Sequence, residues 1–127
     1  MAEFDVEQLA TLAVELRVAG RTLPGQARAV VARGAGNVKR GWRANARRTA
    51  GRHGRLYPLS IGYDLVARAA TIEATIGPDP SRPQGGMGPG FEFGSVHQPP
   101  HLDGKRALDA EEPRFLAEMA KIGFEGG

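Results

Sequence analysis

The sequence predicts an α+β fold built from two N-terminal helices, a β-hairpin or small antiparallel sheet packed on the longer helix, a Gly/Pro-rich loop and a C-terminal helix. Three observations carry this. Apolar residues recur every three or four positions up to about residue 50, alternate from Leu59 to Ile76, and return to helical spacing after Gly104. Between the last two segments, 12 of the 24 residues from Gly77 to Pro100 are Gly or Pro, which marks a connection. At 127 residues the chain suits one domain spanning 1–127, with a long flexible loop at 77–100.

The first helix is expected over Phe4 to Ala19. Leu9, Leu12, Ala13 and Leu16 share a helical face, acids lie in the first turn, and Gly20 follows as a stop. Thr22-Leu23-Pro24 restarts a helix, with Thr22 as cap and Pro24 in the tolerated first turn. Ala27, Val31, Ala35, Val38, Trp42 and Ala46 then form one apolar stripe, and Arg33, Arg40 and Arg47 fall on the opposite side. Gly34, Gly36 and Gly41 each cost a helix roughly 1 kcal/mol relative to alanine, so this helix needs tertiary or intersubunit support, or bends.

From Leu59 the period becomes two. Leu59, Ile61, Tyr63 and Leu65 alternate with polar or small residues, and Ile72, Ala74 and Ile76 alternate with Thr71, Glu73 and Thr75, which reads as a hairpin with one wet face. The Gly/Pro-rich segment is expected to hold neither helix nor central strand, with Phe91-Glu92-Phe93 as its apolar anchor. Gly104 to Phe124 is helical again, and Pro113 marks a break or a new start. The expected core is Val31, Val38, Trp42, Leu56, Ile61, Ile72, Ile76, Phe115, Leu116 and Met119.

The net charge of +3 conceals a strong segregation. Eleven basic residues and no acid lie between Leu16 and Tyr63, with Glu15 and Asp64 just outside. Such a chain carries a basic side and an acidic side. Arg33, Lys39, Arg40, Arg43, Arg47 and Arg48 form the candidate basic face, which either contacts phosphates or meets water or an acidic protein neighbour. No aromatic residue is interleaved there for base stacking.

Chemistry-bearing patterns are sparse. With no cysteine, thiolate metal sites and thiol nucleophiles are ruled out. His97 and His101 have the spacing of zinc ligands on a helix, but Pro99 and Pro100 stand between them. Gly85-Gly86-Met87-Gly88-Pro89-Gly90 lacks the Lys-Ser/Thr ending of a phosphate loop. Ser60, Thr49 and Thr75 have no His-plus-carboxylate arrangement nearby, and Glu111-Glu112 read as solvated or dipole-complementing acids. The expectation is a protein that is not an enzyme, with no cofactor and no metal. The acidic N-terminus is unlike a secretory signal, and no apolar run is long enough to span a bilayer, so no membrane role is expected.

Several short motifs in order carry a family resemblance: Val38 to Arg47 (VKRGWRANAR), Gly54-Arg55-Leu56 with Ser60-Ile61, Thr75-Ile76-Gly77, Phe91-Glu92-Phe93-Gly94-Ser95, Pro99-Pro100-His101-Leu102, and Ala107-Leu108. In this order they resemble the tail-completion or neck proteins of long-tailed, siphovirus-type bacteriophages, over roughly Phe4 to Phe124. The resemblance implies a structural virion protein of the head-tail junction, present in the host cytoplasm during assembly. It implies a homo-oligomeric ring, most often a hexamer, around the DNA channel. The expected neighbours are connector, adaptor or stopper proteins on one side and tail terminator or tail tube proteins on the other, with non-specific contact to genomic DNA in the channel. On this reading Phe91, Glu92, Phe93, Gly94, Pro99 and Pro100 lie at a subunit or neighbour-ring interface, with Glu92 open to a neighbour's arginine. The alternative from the residues alone is a small basic nucleic-acid-binding protein acting through Arg33, Arg40, Arg43 and Arg47.

Overall fold

A computed structural model describes residues 3–8, 13–20, 23, 25–94 and 100–122. It has two layers. Strands β1 (Glu3–Gln8), β2 (Val14–Ala19), β3 (Ile61–Ala67) and β4 (Thr71–Pro78) form one antiparallel sheet in the order β1-β2-β4-β3. Helices α1 (Gly25–Thr49) and α3 (Asp103–Lys121) cover one face, and a short helix, α2 (Gly88–Phe93), closes one end.

The N-terminal segment corrects the expectation of two N-terminal helices, because the first of them is a strand pair. Val14, Leu16 and Val18 are fully buried, and Glu15, Arg17 and Ala19 between them are half-buried, a period of two. The i, i+3, i+4, i+7 spacing of Leu9, Leu12, Ala13 and Leu16 fitted a helix equally well, but Leu9 and Leu12 lie outside the described residues. What decides is the partner: β2 pairs along its whole length with β4, from Val14 opposite Ile76 to Ala19 opposite Thr71, which fixes alternate side chains on opposite faces. Phe4 and Val6 of β1 stand opposite Val18 and Leu16 and pack on the same core.

Helix α1 keeps the anticipated stripe. Ala27, Val31, Ala35, Val38, Trp42 and Ala46 are all fully buried, and each larger side chain contributes about 1.5–3 kcal/mol on leaving water. The Thr22 and Pro24 start signals lie outside the described residues. The helix glycines have a packing reason. A Cβ on Gly34 would stand 2.9 Å from Leu16 Cδ1 and 3.2 Å from Phe115, so glycine lets β2 and α3 approach α1 together. The lost helix propensity is thus offset by closer packing.

The β3–β4 hairpin is present, with Tyr63 opposite Ile76 and Leu65 opposite Ala74. Leu56 and Leu59 are not core residues, at 41% and 52% exposure. Leu56 precedes the 3-10 turn Tyr57–Ser60, and within that turn Tyr57 and Pro58 take the inward positions. Leu116 is partly buried against the core, whereas Phe115 and Met119 are fully buried.

The Gly/Pro-rich segment also differs from expectation, since it contains a 3-10 turn at Gly85–Met87 followed directly by α2. Breakers are tolerated because Pro89 sits in the first turn, where its missing N–H is not required, and Gly94 ends the helix with φ 84°. Pro113 does not break α3, which runs through it. It lies on the exposed side, where water can serve the carbonyl that the proline leaves without a donor.

Candidate interaction surfaces

The expected basic face divides into three parts. Arg33, Arg40 and Arg47 are exposed and seven residues apart, so they stand in one line on the side of α1 away from the sheet. Arg43 is tied to the hairpin, donating from Nε to the Ile61 carbonyl at 2.9 Å and from Nη2 to that of Leu59 at 3.4 Å. Lys39 leans over the Tyr63 ring, its ammonium 5.6 Å from the centroid. Arg48 is exposed and donates to Asn45 Oδ1. The outward line therefore consists of three arginines, and two of the six basic side chains hold β3 against α1.

The opposite surface of the molecule is the uncovered face of the sheet. Alternation and register place two cross-sheet rows there: Asp5, Arg17, Glu73 and Val66 in one, and Glu15, Thr75 and Asp64 in the next. Among the described side chains of these rows, four acids stand against one base, so the rows are acidic. Arg17 Nε lies 3.5 Å from Glu73 Oε1, with the two side chains 35% and 31% exposed, so that pair is worth little to stability. Asp5 and Asp64 are exposed. Reading 4–19 as a helix hid this face. The signal that would have revealed it was the alternation of Val14, Leu16 and Val18 with Glu15 and Arg17.

The Phe91-Glu92-Phe93-Gly94 box is divided between interior and surface. Phe91 is 5% exposed, packs on Tyr57 with ring centroids 4.7 Å apart, and stacks with His101 at 5.7 Å. Glu92 is fully buried, so the expectation that it is open to a neighbour's arginine is corrected. Its carboxylate accepts the N–H of Gly104 at 2.9 Å and of Lys105 at 3.0 Å, at the positive end of α3. The backbone around it does the same work: the N–H of His101 donates to the Phe91 carbonyl at 2.8 Å, and that of Leu102 to the Glu92 carbonyl at 3.1 Å. Leu102 adopts φ 55°, a left-handed conformation, as the chain turns into α3. Phe93, at 45% exposure, and Pro100 remain on the surface, Gly94 is half-buried, and Pro99 lies outside the described residues.

Beneath the box is a buried polar and aromatic cluster. Asp103, 1% exposed, accepts from the Thr49 hydroxyl at 2.7 Å and from Arg106 at 2.7 Å. Trp42 Nε1 and the Tyr57 hydroxyl are buried without partners in hydrogen-bond geometry. Burial pushes the Tyr57 hydroxyl well above its ordinary pKa, the Trp42 N–H opposes that shift, and the Glu92 and Asp103 carboxylates add to it. Glu111, also buried, accepts from Asn37 at 3.1 Å and binds Arg114 through both oxygens, joining α1 to α3.

Among the described residues no group of three or more His, Asp or Glu side chains is placed to hold a metal, and no helix is long and apolar enough to cross a membrane. A depression of about 400 Å³ opens at one end of the uncovered sheet face. Gly62, Gly77, Asp64, Thr75, Asp79 and Arg82 line it. Hydrogen bonds from the Ser81 hydroxyl and then its backbone N–H hold the Asp79 carboxyl below its ordinary pKa. No family model matches this chain, and no curated protein or solved structure matches it either.

Proposed function

We propose that this protein is a structural component of a bacteriophage head-tail junction, acting by assembly into a ring, most simply a hexamer, that joins the connector to the tail tube around the DNA channel. The observation that carries this reading is the unlike charge of two opposite surfaces, the outer line of α1 and the uncovered face of the sheet. Arg33, Arg40 and Arg47 mark one surface, and Asp5, Glu15, Glu73 and Asp64 mark the other. A subunit with unlike front and back surfaces adds copies head to tail, and such contacts close into rings when the rotation permits. The ordered motifs from Val38 to Leu108 support placing that ring in a phage particle. Deleting the gene should leave filled heads and finished tails unjoined, as seen by negative-stain microscopy. Joined, infectious particles in its absence would end the proposal.

A second reading, a basic nucleic-acid-binding module, is favoured by the exposed arginine line alone. Duplex titration at two salt concentrations separates the two, because phosphate binding through three arginines gives a log–log salt slope of about −2.7.

A further inference from the structure

We infer that the uncovered sheet face of one copy is the seat for α1 of a second copy, which lays its arginine line across the strands. The inference rests on the assembly proposed above and names the two surfaces that carry it. Because the surfaces lie on opposite layers, Arg33, Arg40 and Arg47 cannot reach the sheet acids of their own chain. A second copy can, and it presents the required sign.

The spacings also match. Residues seven apart on a helix are about 10.5 Å apart along its axis, which sets the interval between Arg33, Arg40 and Arg47. On the sheet, Asp5 and Glu73 are two strands apart, as are Glu15 and Asp64, and two strand spacings come to about 9.6 Å. A helix lying across the strands therefore sets two successive arginines over two acids of one row. The four strands span only about 14 Å, so two of the three arginines engage at one crossing.

The surface has room for them. Gly62 and Gly77 are paired in the hairpin and, lacking side chains, form part of the depression that Asp64 and Thr75 also line. An arginine reaching over Asp64 enters that depression. Arg17 stands between Asp5 and Glu73 and already lies 3.5 Å from Glu73, and Arg82 lines the depression, so the exposed Asp5 and Asp64 are the acids most open to an incoming arginine. Association of this kind is rapid at low ionic strength and weakens as salt rises.

The test uses two double variants of the full chain. Asp5→Lys with Asp64→Lys reverses the sheet face, and Arg40→Glu with Arg47→Glu reverses the helix face. Among the described residues Asp5, Asp64 and Arg47 make no side-chain ion pair or hydrogen bond, and Arg40 touches only its own helix, at Gly36 and Asn37, so each variant should keep the wild-type circular dichroism. By sedimentation at low ionic strength the wild type associates, and each variant alone weakens association by about tenfold or more. An equimolar mixture restores it, because every mixed contact again joins unlike charges. A wild type that stays monomeric at its highest soluble concentration, a variant that associates like the wild type, or a mixture that stays dissociated would each overturn the inference. Complementation of the gene deletion separates this from the broader proposal. If the deletion leaves heads unjoined but both variants restore joining, the interface is wrong and the head-tail role stands.

Discussion

Replacing Glu92 by glutamine tests the joint that sets the end of the fold. Both carboxylate oxygens are in use, Oε1 at 2.9 Å from the Gly104 N–H and Oε2 at 3.0 Å from that of Lys105. Glutamine keeps one acceptor and turns an NH2 toward the second N–H, leaving two donors face to face in a fully buried site. Hydrogen bonds to a charged group contribute about 1.5–3 kcal/mol each, and a negative charge at a helix N-terminus adds about 0.3–1 kcal/mol. Against this, glutamine avoids the cost of burying a charge. The pairing loss wins because the helix N-terminus already supplies the compensation that a buried carboxylate needs. A net loss of about 2 kcal/mol is expected, a fall in Tm of roughly 6–10 °C for a chain of this size. Urea and thermal unfolding measure it, and the amides of Gly104 and Lys105 should exchange faster with solvent. A variant as stable as the wild type, with unchanged exchange at those amides, would refute the role assigned to Glu92.

Gly104→Ala should cost about 1–3 kcal/mol despite alanine's better helix propensity, because its Cβ would lie 2.7–2.8 Å from three atoms of the buried Trp42 ring. Chemical denaturation would check it, and unchanged stability would mean that α3 can shift off the indole. Leu56→Ser should move stability by no more than about 0.5 kcal/mol, as for an exposed site, whereas a loss near 2 kcal/mol would restore Leu56 to the core. Tyr57 has a folded pKa raised above the unfolded value of 10.0, so its contribution is complete below pH 10 and stability declines as the pH rises past it. Tyr57→Phe should flatten that alkaline decline in unfolding curves recorded from pH 9 to 11, and an unchanged decline would assign it to other groups.

The parts legible in the sequence were those whose partners lie nearby along the chain. The 25-residue α1 declared itself through a stripe repeated from Ala27 to Ala46, about five turns, and β3 and β4 through alternation on both sides of a short turn. The line of Arg33, Arg40 and Arg47 followed directly from helical geometry. Residues 4–19 were ambiguous because a few leucines fit either period, and β2 is held as a strand between β1 and β4, the latter more than fifty residues later in the chain. With that strand pair misread, the acidic face could not be seen, since its members come from all four strands.

Sequence by itself determined the two-signed charge, the helix that carries the arginines and the hairpin that follows, because each depends on spacing between near neighbours. Only the tertiary structure decided that Glu92 turns inward to hold α3, that Arg43 and Lys39 serve the hairpin instead of the surface, and that four acids share one side of a sheet. Those outcomes depend on which distant segment arrives to satisfy a hydrogen-bonding or charged group. Local spacing does not encode that.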